Sequence, residues 1–118
     1  MLNSTSMFTV GEYGSLRKIA VGTGLDAHHV GQQAVMKNLL GDFYNSQTAP
    51  AILVPKTGHT VSGAGGVVSR TTEGLNSARQ VVARDIFELR RVYPDVPNSS
   101  LQQLIDMNKT KYPGAFNK

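Results

Sequence analysis

PAILVPK, residues 50–56, is an unbroken apolar run of strand length that stops at Pro55 and Lys56. Reading it as a strand settles the fold class, because its neighbours on either side are of different kinds. Upstream, LDAHHV (25–30) is a second short extended segment, flanked by SLRKIAVG (15–22), a short helix closed by Gly22, and QQAVMKNLL (32–40), one or two helical turns ended by Gly41. Downstream, NSARQVVARDIFELRRVYP places Ala78, Val82, Ile86, Leu89 and Tyr93 at spacings of three and four, with Asn76 or Ser77 as N-cap and Pro94 as terminator. Arg84 and Glu88 are expected as an i,i+4 pair on the wet face of that helix. A second helix follows in PNSSLQQLIDMNKTKYP, capped by Asn98 or Ser99, with Leu101, Leu104, Ile105 and Asn108 inward and Pro113 at its end. Strands in the first half and helices in the second make an α+β domain.

At 118 residues the chain forms one domain, 1–118, with a single modest core. A hydrophobic content of 40% with 17% charged residues excludes disorder. No apolar run approaches the roughly 20 residues of a membrane-spanning helix. With no cysteine, disulfides, thiolate ligands and a cysteine nucleophile are all excluded. The first ten residues lack the basic and apolar regions of a signal peptide. The net charge of +4 favours an anionic partner.

The three histidines all fall in the Gly-, Ser- and Thr-rich first half, at positions 28, 29 and 59. Successive residues of an extended segment point to opposite faces, so His28 and His29 are expected to have different jobs. One imidazole can bind a cation while its neighbour takes a proton from water close by. The plain alternative is a core histidine beside a surface one.

Ala27-His28-His29-Val30 followed by PAILVPKTGHT (50–60) resembles the AHH- and GHH-type nuclease domains of the HNH/endonuclease VII superfamily, found at the C-termini of bacterial polymorphic toxins. VGEYGSLRK (10–18) matches the segment that precedes the histidine pair in such toxins, so the resemblance covers most of residues 11–60. It implies a ββα-metal element, residues 11–66, packed on a helical scaffold, residues 76–112. It further implies that His28 is a metal ligand, His29 the general base, and His59 a ligand on the helix after the second strand, with Asp26 as an additional ligand or a group orienting a histidine. Members with three histidine ligands carry a further His or Asn one helical turn on, where this chain has Gly63. A two-imidazole site suits Mg²⁺ or Mn²⁺ at least as well as Zn²⁺. The activity implied is a non-specific endonuclease acting on DNA, with RNA as a second substrate. The resemblance also implies delivery as part of a larger toxin, action in the target-cell cytoplasm, and a cognate immunity protein.

Phosphodiester cleavage needs a cation to neutralise oxygen charge and a base to make the nucleophile. The substrate must also be held, and Lys56 and Arg70, with Arg79 and Lys37 behind them, are the candidate phosphate contacts. SGAGG (62–66) is read as a flexible loop, since Val67-Val68 stands where a phosphate-binding loop requires Lys-Ser/Thr. Tyr13 and Tyr44 are read as packing residues. The other class of function to weigh is a non-catalytic nucleic-acid-binding or structural metal-binding module, which has no use for an unligated histidine beside a ligated one.

Overall fold

The computed structural model describes residues 7–56 and 75–116. Its centre is β3, Pro50–Pro55, which forms the middle of a three-stranded antiparallel sheet. On one side it pairs with β1, Val10–Glu12, and on the other with β2, Leu25–His29. The extended reading of LDAHHV and PAILVPK is therefore met, while β1 is a strand that the sequence reading does not anticipate.

Both faces of β3 are covered, which is why its sequence is a continuous apolar run rather than an alternation. Ala51 and Leu53 pack with Leu16 and Ala20 of α1, Tyr13–Ala20, on one face. Ile52 and Val54 belong to the larger core on the other face. That core draws on α2 (Gln33–Leu40), α3 (Ala78–Val92) and α4 (Asn98–Lys111), including Met36, Val81, Leu89 and Leu104. The result is an α+β domain in layers: one short helix, the sheet, then the longer helices.

At α4 the expected Asn98 or Ser99 cap is not formed, because the helix already begins at Asn98 after Pro97, whereas two other helix ends follow ordinary chemistry. Ser77 caps α3 by accepting from the Gln80 amide at 3.2 Å. Gly41 ends α2 at φ +58°, a conformation that glycine adopts without strain.

Two details of α3 depart from the periodicity reading. Asp85 is buried on its inner face beside Val81 and Val82. Arg84 does not pair with Glu88; its Nε donates to Asp85 at 2.8 Å and a terminal nitrogen donates to Gln32 Oε1. Glu88 instead accepts from Arg91, one turn on, at 2.8 Å. The reason is tertiary: Gln32, just after the histidine strand, offers Arg84 a partner that spacing along one helix cannot reveal.

The segment after the histidine pair is locked by both long helices. Asn108 of α4, fully buried, donates to the Val30 carbonyl at 2.8 Å. Gly31 lies so close to α3 that a Cβ would stand 2.8 Å from Val81 Cγ1. At the far end of α3, the Tyr93 hydroxyl donates to the Pro55 carbonyl at 3.0 Å. These ties fix β2 and β3 against the scaffold.

Candidate functional site

The register of β2 on β3 decides which way each candidate points. His28 stands opposite Ile52 and shares its face, toward the long helices, where it is 8% exposed. His29 stands opposite Ala51 and shares the face covered by α1. Asp26, opposite Val54, lies two residues before His28 and so on the same face of the strand. The expected divergence of the two histidines is what the strand produces.

His29 is held from two directions. Its ring stacks on Tyr13 at a centroid separation of 3.9 Å and an interplanar angle of 14°. Its Nε2 lies 3.0 Å from the Ser46 carbonyl oxygen. A carbonyl only accepts, so Nε2 carries the ring proton and donates it, which makes Nδ1 the basic nitrogen.

Beside this stack a cleft runs between α1 and the start of β2, lined by Tyr13, Arg17, Leu25, Asp26, Ala27 and Lys56. Lys56 Nζ lies 3.7 Å from the Asp26 carboxylate and remains well exposed. The Tyr93 hydroxyl is pushed up to about 12 by burial first and by the Asp26 carboxylate second, so it stays protonated and can donate. Two cations, a carboxylate and an aromatic ring thus border the strand that carries both histidines.

Asp26 and Lys56 meet where β2 begins and β3 ends, whereas His28 and His29 lie at the other end of β2, opposite Ile52 and Ala51 and on opposite faces. Arg79 is on neither strand: it lies near the start of α3, about 21 Å along the helix axis from Tyr93, and lines a separate groove with Ile86, Ile105 and Lys109. Lys37 is exposed on α2, outside the cleft. His59, Arg70 and the SGAGG segment lie outside the described residues. Among the described residues no group of three or more His, Asp or Glu side chains is gathered as a metal would need. Asp26 and His28 nevertheless offer one carboxylate and one imidazole on a single strand face, a donor set that fits a divalent cation once further donors complete it.

The sequence reading did not single out Arg17 or Asp85, and it read Tyr13 as packing without its histidine partner. Arg17 had a signal, since it follows Tyr13 by four positions on one helix and therefore shares its face. Tyr13 had none, because its partner comes from another strand. Asp85 is buried on the inner face of α3. Its carboxyl is pushed up to about 6, chiefly by burial and against the opposing pull of Arg84 and the Gln32 amide.

The chain matches no family model, no curated protein and no solved structure. No helix among the described residues is long and apolar enough to cross a membrane.

Proposed function

We propose that this domain is a metal-dependent endonuclease that hydrolyses phosphodiesters, with DNA as the preferred polymer and RNA as the second. The reading assigns a ββα-metal element to β2, β3 and the residues after them. The observation that carries it is the division of labour along β2: His28 and Asp26 on one face, and on the other a His29 whose Nδ1 is the basic nitrogen, next to a cleft bordered by Arg17 and Lys56.

His28, His59 and Asp26 would hold the cation, whose part when bound is to offset negative charge on the phosphate and leaving oxygen. His29 takes the proton from the attacking water, with its ring kept in one tautomer by the Ser46 carbonyl. Lys56 and Arg70 are the residues assigned to hold the polyanion, while Arg79 and Lys37 add attraction from other faces. The resemblance of the AHHV and PAILVPKTGHT segments supports the further reading of a delivered toxin domain, acting in the cytoplasm of a target cell and restrained by an immunity protein.

The test is plasmid and RNA cleavage with Mg²⁺, Mn²⁺ or Zn²⁺ and with chelator. Cleavage that depends on a divalent ion and falls by about 10² to 10⁴-fold in His29→Ala is the expected result, the usual range for a positioned general base. Cleavage undiminished by chelator overturns the metal mechanism, and nucleic-acid binding without cleavage under any condition favours a non-catalytic module.

A further inference from the structure

The start of α1 and the loop 45–49 are built against each other, and His29 sits where they meet. The Tyr13 amide donates to the Ala49 carbonyl at 2.9 Å and the Gly14 amide to the Gln47 carbonyl at 2.7 Å. These are amides of the first helical turn, which have no partner within the helix, so the loop carbonyls take the place of a side-chain cap. The approach is close at position 14: a Cβ there would lie 2.9 Å from the flexible Gln47 side-chain oxygen and 3.0 Å from the Gln47 carbonyl oxygen, so the loop backbone would have to give way by a few tenths of an ångström. The loop itself is folded back on Asn45, whose side chain accepts from the Gln47 amide at 2.9 Å.

From this junction two groups reach His29, Tyr13 from the helix and the Ser46 carbonyl from the loop. They constrain different motions. A stacked ring opposes tilt out of its plane, whereas a hydrogen bond along one ring nitrogen opposes rotation within that plane and exchange of the ring proton between nitrogens.

We infer that the α1–loop junction is a clamp that holds the His29 imidazole in its Nε2-protonated form, with Tyr13 as the positioning residue. The inference rests on the reading of His29 as the general base, and to the Ser46 carbonyl it adds Tyr13 and the close approach at Gly14. Tyr13 acts through its ring rather than its hydroxyl, so phenylalanine is able to replace it. Gly14 acts through what it lacks, since any side chain there pushes the loop, and Ser46 with it, away from the helix.

Imidazole ¹⁵N spectra of the whole protein, recorded across pH, report the tautomer of His29 independently of turnover, and Mg²⁺-dependent plasmid cleavage reports its use. In the parent protein neutral His29 is expected as a single Nε2-protonated species. Tyr13→Ala should give a mixture of tautomers and a kcat reduced by about 10 to 100-fold with KM little changed, as expected when a reacting group is misplaced. Tyr13→Phe should restore both the tautomer and the rate to the parental values. Should Tyr13→Ala fail to fold, Gly14→Ala carries the same test, because it leaves the stacking ring in place and disturbs only the approach of the loop. A parental tautomer and rate in both variants overturns the clamp. Parental cleavage by His29→Ala removes the base role and leaves the spectra to decide the clamp by themselves.

Discussion

The two faces of β2 differ in depth, and the two histidines occupy one each. On the His28 side the sheet is backed by three helices and a core that includes Met36, Ile52, Val54, Leu89 and Leu104, with Asn108 and Gly31 fastening the strand to α4 and α3. On the His29 side there is one short helix over a small cluster of Leu16, Ala20, Ala51 and Leu53, with a cleft beside it. On the proposed reading the metal ligand is on the deep side. On the same reading the general base, which must exchange protons with water, is on the shallow one. Adjacent positions on one strand reach both environments, which no pair of neighbours on a helix could do so cleanly.

The strongest way to break this comparison is to remove each imidazole in turn. Both His28→Ala and His29→Ala are expected to lower cleavage by about 10² to 10⁴-fold, but only His28→Ala should also lower thermal stability, because it empties a buried position. Plasmid assays and melting curves on the same preparations check this. Equal melting temperatures in the two variants would erase the distinction between the faces.

A smaller effect is expected from Asn108, the buried clasp between α4 and the residue after the pair. Asn108→Ala leaves the Val30 carbonyl without its donor and should cost about 1–3 kcal/mol in chemical denaturation. The shallow face should be indifferent to it, so the Nε2-protonated state of His29 should survive in whatever fraction is folded.

Asp85 sharpens the comparison through pH. Its folded carboxyl lies at about 6, above the usual aspartate value near 3.9, so the native state binds the extra proton between them. Stability from this group is fully present below pH ~4 and declines as pH rises through ~6, by on the order of 2 kcal/mol. Asp85→Asn should flatten that decline while Arg84 keeps an oxygen to donate to. A parental pH slope in the variant would place the titration elsewhere.

The least effect on folding is expected at the cleft. Lys56→Ala breaks an exposed pair with Asp26 and should change stability by no more than ~1 kcal/mol. Nucleic-acid affinity should nevertheless fall, and the slope of log K against log salt should shrink by about one contact. An unchanged slope would take Lys56 out of the interface.

The parts of this arrangement that could be read in the chain are those whose cause is local. PAILVPK needed no more than its run of apolar residues, and LDAHHV no more than its alternation, to be placed as strands whose neighbouring histidines diverge. β1 escaped notice because three residues carry too little pattern, and it exists as a strand only through β3. The burial of Asp85 and the partner of Arg84 depend on Gln32, and the role of Tyr13 depends on a ring from β2. Such pairings join distant segments, and helical or strand periodicity contains no trace of them. The histidine at 59 and the arginine at 70 follow β3 in sequence, outside the described residues.

The Asn108 clasp spans 78 residues and the ion pair of Lys111 with Glu12 at 3.0 Å spans 99. Loops of that length close late in folding, since their entropy must be overcome before the contacts form. A chain growing from its N-terminus therefore displays its two adjacent histidines long before the helix that secures their strand has been made. A chain interrupted before that helix would carry every residue of β2, and both the Tyr13 and Ser46 contacts of His29, without the clasp on Val30.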